Sequence, residues 1–288
     1  MRIRLVILFL LCFIQASVNA QDAVKTSQIA DKLYRISIGS TNVVALIDDN
    51  SVLLSDCAYN TTASLLKSSL EKLGGDEIKI IINTHWHFDH TSGNTELGKD
   101  ALIISQSGTR DILLHDQEIM GNIRKALPEQ ALPDLTIDKE LELYFGDEHI
   151  ILRHMPNGHT SGDLVVYFEN SGVLHIGDLI FSDIFPYIDI SRGGNVQQLS
   201  KNLESIAYTY PDTIKIIVGH GRDYSMKDLV DYNKMLKETM AVVKAGKEQG
   251  LSLDELQNRK VLDKWDMKWG RDFIPTENWI EYVYESIH

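Results

Sequence analysis

The run Ile78-Lys79-Ile80-Ile81-Ile82-Asn83 is apolar and β-branched, the pattern of a buried strand, and it opens directly onto Thr84-His85-Trp86-His87-Phe88-Asp89-His90. Four metal-capable side chains in the spacing His-x-His-x-Asp-His therefore stand at the carboxyl end of a strand, where α/β folds place their ligands. In an extended segment side-chain direction alternates, so His85 and His87 point to one side. Their Cα atoms then lie roughly 6.5 Å apart, close enough for both imidazoles to reach one ion. Asp89 and His90 follow where Thr91-Ser92-Gly93-Asn94 turns the chain, and can face a second ion beside the first. A loop rich in histidine by chance is the plainer reading. The whole chain has ten histidines, so three within six positions, with a carboxylate interleaved, decide for ligands.

Three later positions repeat the arrangement of a ligand type just past a β-like run, flanked by glycine. They are His159 in Gly158-His159-Thr160-Ser161-Gly162-Asp163, Asp178 in Gly177-Asp178, and His220 in Gly219-His220-Gly221. Glycine lets the backbone turn sharply so that a neighbouring side chain projects into a site. Each alone is an ordinary polar residue after a strand; their joint occurrence behind the first motif makes them candidates.

Met1 to Ala20 carries Arg2 and Arg4, an apolar run from Leu5 to Ile14, and Val18-Asn19-Ala20. A basic start, a short apolar core and a small-residue end form the pattern of a secretory signal peptide. The apolar core is shorter than the about 20 residues of a spanning helix. Residues 21–288 are then the mature chain, exported to the periplasm or medium. Lys and Arg number 28 against 41 Asp and Glu, a net charge of −13, which becomes more acidic once Arg2 and Arg4 are removed. So acidic a chain argues against nucleic acid as a partner and against stable membrane association after cleavage; a small-molecule substrate fits better. Only Cys57 remains outside the leader, so no internal disulfide forms, and Cys57 reads as a small core residue.

Short strands are expected at 33–38, 43–47 and 52–55, with Asp48-Asp49-Asn50 as a hairpin turn. A helix carrying Leu65, Leu66, Leu70 and Leu73 follows, capped by Thr61 or Thr62 and stopped by Gly74-Gly75. Beyond the metal strand come a strand at 101–105, a helix at 109–118 and an irregular loop at 120–138. A hairpin turning at Gly146-Asp147 and strands near 164–168, 173–176 and 214–218 follow, with helices at 196–210 and 226–248. Strands and helices alternate in both halves, so the class is α/β. The expected division is a hydrolase-sized domain over 21–250 and a helical extension over 251–288, whose stripe Trp279, Ile280, Val283, Tyr284, Ile287 reads as packing onto it. The loop 120–138, Phe185-Pro186-Tyr187 and the region of Trp265, Trp269 and Trp279 are the expected pocket walls.

Taken together, the motif at 84–90 and its followers at 158–163, 177–178 and 219–221 resemble the metallo-β-lactamase-fold hydrolase superfamily. The resemblance implies a four-layer αβ/βα sandwich of two mixed sheets flanked by helices, with the metal site at one edge. It implies that His85, His87 and His159 hold one zinc ion, that Asp89, His90 and His220 hold a second, and that Asp178 bridges the two. Asp56, at the end of an early strand, is similar to the family carboxylate that orients a ligand. Three imidazoles on one zinc leave an open position, the mark of a catalytic site, and a hydroxide shared by two zincs can attack a carbonyl or phosphoryl centre. Asp89 is the expected catalytic carboxylate, holding that hydroxide or passing a proton to the leaving group.

Within the superfamily, the common zinc β-lactamases place Cys or a Ser-containing variant where this chain has Asp178. The bridging Asp is more similar to the glyoxalase II, lactonase and phosphodiesterase branches. His87 stands where flavodiiron proteins have Glu, which favours zinc hydrolysis over diiron chemistry. Export separates the chain from glutathione metabolism and turns the expectation toward a small ester, lactone or related amide. The alternatives are a phosphodiesterase or β-lactamase of the same fold, and a persulfide dioxygenase holding one iron.

Overall fold

The computed structural model describes residues 24–287; the expected signal segment at 1–20 lies outside them. Strands β1 (Val24–Ala30), β2 (Leu33–Ile38), β3 (Thr41–Asp48) and β4 (Ser51–Ser55) run as an antiparallel meander. Helix α1 (Ala63–Lys72) crosses over to β5 (Glu77–Ile82), which pairs parallel with β4. Two one-turn helices, α2 (Phe88–Thr91) and α3 (Asn94–Leu97), lead to β6 (Leu102–Gln106) and helix α4 (Ser107–Leu113). A separate hairpin, β7 (Gln117–Ile119) and β8 (Asn122–Arg124), precedes β9 (Leu135–Ile137), which closes a seven-stranded sheet in the order β1-β2-β3-β4-β5-β6-β9.

The second sheet has six strands: β10 (Glu140–Phe145), β11 (Glu148–Met155), β12 (Asp163–Phe168), β13 (Val173–His175), β14 (Lys215–Ile217) and β15 (Tyr224–Ser225). Helix α5 (Val196–Thr209) makes the crossover between β13 and β14, which are parallel; the other pairs are antiparallel. Helices α6 (Met226–Glu248), α7 (Leu253–Asn258), α8 (Asp263–Trp269) and α9 (Thr276–Ser286) complete the chain. No helix among the described residues is long and apolar enough to cross a membrane.

Period-two alternation builds the layers. In β3, Val44 and Leu46 face the second sheet and meet Leu152, Leu164, Val166 and Phe168 in a buried inter-sheet core. Val43, Ala45 and Ile47 of the same strand face outward and pack with Leu66 and Leu70 of α1. On the far side, Val165, Leu174 and Ile216 of the second sheet pack under Leu203, Leu236, Trp279 and Ile280. The layers therefore run helix, sheet, sheet, helix, the αβ/βα sandwich of two mixed sheets. Residues 251–287 share the hydrophobic cluster of α5 and α6.

Several local expectations are corrected. Thr62 precedes α1 but does not cap it with its side chain, because its hydroxyl donates to the Tyr59 carbonyl at 3.0 Å. The helix expected at 109–118 stops at Leu113, where the Gln117 amide donates to the carbonyls of Ile112 and His115 and turns the chain into β7. The segment 120–138 is more ordered than expected, since it supplies β8 and β9, and β9 pairs with β6. Strand β1 and the short helices α7 and α8 carried no periodicity long enough to read.

Candidate metal centre

At the end of β5 the backbone N–H of Thr84 donates to Asp56 Oδ1 and its hydroxyl to Asp56 Oδ2, both at 2.8 Å. Asp56 itself takes a left-handed backbone conformation (φ +65°), which aims its carboxylate back across the strand end. This anchor turns the chain out of the sheet at His85. Residue His87 is still extended (φ −61°, ψ 149°), and α2 begins immediately after it. Asp89 and His90 thus sit on a helical turn rather than in an open loop, and His85 and His87 approach with ring centroids 4.7 Å apart.

The other three candidates arrive from the second sheet. His159 lies in the connection between β11 and β12, where Asp163 accepts its backbone N–H at 2.7 Å and that of Thr160 at 3.0 Å. Asp178 follows Gly177, whose φ of +51° and whose closeness to the Thr84 side chain both require glycine. His220 follows Gly219, where any Cβ would overlap the Asp178 carboxylate. Asn42 fixes that turn by donating to the carbonyls of Val218 and Gly221.

All seven candidates come together in two adjoining groups, His85, His87, His159 and Asp178 in one and Asp89, His90 and His220 in the other. Within each group the available ligand atoms lie within 4.8 Å of one another. Asp178 belongs to both. Its Oδ2 is 3.8 Å from His85 Nε2, 3.7 Å from His159 Nε2 and 3.2 Å from His220 Nε2, while Oδ1 is 3.3 Å from His90 Nε2. Asp89 Oδ2 stands 3.1 Å from His220 Nε2 and 3.4 Å from His90 Nε2.

The far nitrogen of each imidazole is held elsewhere. His90 Nδ1 pairs with Asp56 Oδ2 at 2.7 Å and His87 Nε2 with Asp189 Oδ2 at 3.3 Å. His159 Nδ1 donates to the Tyr187 carbonyl, His220 Nδ1 to the Ser40 carbonyl, and His85 Nδ1 lies 3.1 Å from Thr84 Oγ1. These partners orient the rings and turn the opposite nitrogens toward the two groups, where His159 Nε2 and His87 Nδ1 lie 2.8 Å apart. Three of the inward atoms, His85 Nε2, His90 Nε2 and Asp178 Oδ1, are buried without a hydrogen-bond partner. Orphaned buried acceptors are costly unless something cationic satisfies them, so the donor set fits a dinuclear metal centre.

The protein's own charges divide the groups. Burial, aided by the nearby His90, holds His85 well below the usual imidazole range, and burial beside His87 lowers His159 to about 4. Burial also opposes the cation at His90 and His220, yet Asp178 and Asp89 outweigh it, raising His90 well above its ordinary value and His220 to about 10.

Asp189, the Tyr187 and Ser40 carbonyls and Thr41, whose hydroxyl donates to Asp89 at 3.2 Å, had no sequence signal. Cys57 is buried as expected, donating to the His90 carbonyl, with burial pushing its thiol well up.

The centre opens into a cleft of about 950 Å³ whose lining includes His87, Asp89, Asp178, His220, Tyr59, Phe181 and Tyr187. Each of the three expected wall regions contributes to the cleft, but Phe185 and the tryptophans do not. Phe185 stacks on Trp279 at 5.2 Å within the core, and Trp265 and Trp269 are buried there too. The three tryptophans pack inward, so Tyr187, Asp272 and Phe273 beside Trp269, and Met120, Asn122 and Arg124 of the 120–138 segment are what reach the cleft.

A sandwich that brings a pair of imidazole and carboxylate groups to one open edge defines a metal-dependent hydrolase fold. The chain belongs to the metallo-beta-lactamase superfamily, whose sequence model matches residues 36–220. It is 31% identical over 189 residues to a probable metallo-hydrolase of Methanocaldococcus jannaschii, covering 63% of this chain and 88% of that one. A hydroxyacylglutathione hydrolase of Pelagibacter ubique is 28% identical over 191 residues, covering 62% and 69%. Among solved structures, a metallo-beta-lactamase from Pontibacter korlensis superposes with a TM-score of 0.62 at 15% identity, over 74% of this chain and 99% of that one, a likeness of fold.

Proposed function

We propose that the protein is an exported dinuclear zinc hydrolase that cleaves a small carboxylic ester, lactone or related amide. The observation that carries this reading is the position of Asp178 between the two ligand groups, with His85 Nε2, His90 Nε2 and its own Oδ1 buried without partners. Five imidazoles and two carboxylates, with no thiolate among them, suit zinc at both positions. Zinc held there would supply a Lewis acid and a water whose pKa falls to about 7. His85, His87 and His159 would hold one ion and Asp89, His90 and His220 the other, with Asp178 offsetting the repulsion between them.

Asp89 has the free capacity for proton work. Its Oδ2 faces His90 and His220 and accepts from Thr41, while Oδ1 takes no hydrogen bond among the described residues. That oxygen can hold the attacking water's proton and release it to the leaving group. Carbonyl attack is supported by relatives named hydroxyacylglutathione hydrolase in Pelagibacter ubique and Rhodospirillum rubrum.

The test compares kcat/KM of zinc-loaded protein on matched ester, lactone and phosphodiester substrates, with Asp89→Asn as the inactive control. Preference for the phosphodiester by more than about tenfold, roughly 1.4 kcal/mol in transition-state binding, overturns the acyl reading. One tightly held iron with oxygen uptake on a persulfide overturns the hydrolytic one. Export is checked separately by N-terminal sequencing from the native host, where a soluble chain with Met1 intact contradicts it.

A further inference from the structure

We infer that the substrate carries a carboxylate remote from its scissile bond, and that Arg124 and Lys25 at the cleft receive it. This rests on the hydrolytic reading above and narrows it to amphipathic acyl substrates. The chain as a whole has a net charge of −13, yet Lys25, Arg35, Arg124 and Arg222 all line the cleft. Ion pairing separates the four. Arg35 is paired with Asp223, and Arg222 with Asp183 and Asp228. Among the described residues no carboxylate pairs with Lys25 or Arg124, so these two are the charges left for a ligand.

Both border the cleft onto which the metal centre opens. Arg124 ends β8, and its guanidinium lies 5.2 Å from the centroid of the Phe88 ring. Phe88 stands between His87 and Asp89 in the chain and lines the cleft with them. Lys25 comes from β1, in register with Ser37, which also lines the cleft. Ser37 donates to Asn42, and Asn42 holds the Gly221 carbonyl beside His220. The two cations therefore approach from different elements, the hairpin on one hand and the β1 edge on the other.

The remaining lining is mixed, with Asp272, Asn122 and Ser182 beside an apolar wall. Met120 at the hairpin tip is 54% exposed and Phe273 is 48% exposed, large apolar side chains that open onto the cleft. Phe181 and Tyr187 continue the wall from Phe273 inward. An apolar body with one charged end matches this surface. Arginine's planar fork accepts a carboxylate through two parallel hydrogen bonds, and a lysine nearby adds charge without demanding a second anion.

The test uses two esters with the same apolar body, mono(para-nitrophenyl) suberate and its suberamate counterpart, which replaces the free carboxylate by a neutral amide. Zinc-loaded wild type is expected to favour the suberate in kcat/KM by about tenfold, the scale of one charge-assisted hydrogen bond. Arg124→Gln should remove most of that preference through KM and leave the suberamate rate within about twofold, while Arg124→Lys restores part of it and Lys25→Gln has a smaller effect of the same kind. Equal losses on both esters would assign Arg124 a structural role, that of holding the hairpin over Phe88, and overturn the proposal.

If wild type hydrolyses neither ester, the hydrolytic reading fails and binding decides the present one. Phenylthio-octanoate and its amide have no scissile ester, and their affinities for zinc-loaded protein are measured by calorimetry. A carboxylate preference that disappears in Arg124→Gln sustains the inference. Equal affinities, or a preference that survives in Arg124→Gln because the carboxylate sits on the metals, overturns it.

Discussion

The two halves of the metal centre are made of different materials. The His85, His87 and His159 side chains are 1%, 5% and 1% exposed, and their group has one carboxylate, Asp178, shared with the neighbour. The Asp89 and His220 side chains of the other half are 16% and 18% exposed, and both carboxylates stand within 3.4 Å of both of its imidazoles. Burial keeps His85 and His159 neutral, so that half presents ready ligands. In the other half Asp178 and Asp89 outweigh burial and favour the protonated forms of His90 and His220. A metal entering the first half displaces the hydrogen bond between His159 Nε2 and His87 Nδ1, whereas a metal entering the second must displace the protons that Asp178 and Asp89 favour on His90 and His220. Depth and charge together make one half a holder of metal and the other an exchanger.

The comparison breaks most completely at the residue the halves share. Asp178→Ala should deplete metal from both and lower hydrolytic activity by more than the roughly 10–100-fold that loss of a ligand's hydrogen-bond partner costs. Elemental analysis and kcat/KM on the same preparation check this; two retained ions would show that Asp178 does not bridge. Next in size, His220→Ala should leave about one ion bound, while His159→Ala strips the deeper half and weakens the shallower one through Asp178.

The supporting carboxylates sharpen the division. Asp56→Asn, which removes the acceptor for His90 Nδ1, should lower affinity for the second ion by about 10–100-fold, and Asp189→Asn should act on the first through His87. Competition against a zinc chelator resolves the two steps. If both variants shift the same step, the division drawn above is wrong.

Proton exchange gives the subtlest test. His220, raised to about 10, keeps its proton at neutral pH, so metal binding there must release it and weakens by up to about tenfold per proton for each unit of falling pH. His159, lowered to about 4, is already neutral near pH 7, so this ligand has no proton of its own to release there. Zinc titrations near neutral pH in two buffers of different ionisation enthalpy count the protons. Equal release at both steps would contradict the assignment.

How much of this was legible follows the same divide between side chains with chemistry and side chains with context. The seven ligand candidates were readable because each is a metal-capable residue at a strand end, and Gly177 and Gly219 mark where the backbone must pass too close for a Cβ. Most strands were readable from β-branched runs, whereas the two-sheet sandwich followed only from the family resemblance of the motifs. The partners behind the ligands were not: Tyr187 and Ser40 act through backbone carbonyls, and Asp189 lies in a stretch without periodicity. The pocket walls misled for a related reason. A tryptophan looks the same in a sequence whether it lines a cleft or a core, and only the packing of α9 against α5 and α6 sends Trp279 inward.

Seven residues from both sheets make a donor set that fits two ions, and the proposed filling runs in two unlike steps. Native mass spectrometry of metal-free protein titrated with zinc near neutral pH, with hydrolysis followed in parallel, addresses it directly. The account predicts a one-zinc species, then a two-zinc species whose appearance falls away first as pH is lowered and whose population tracks the hydrolytic rate. Saturation at one ion, or two ions entering in a single step insensitive to pH, would contradict it.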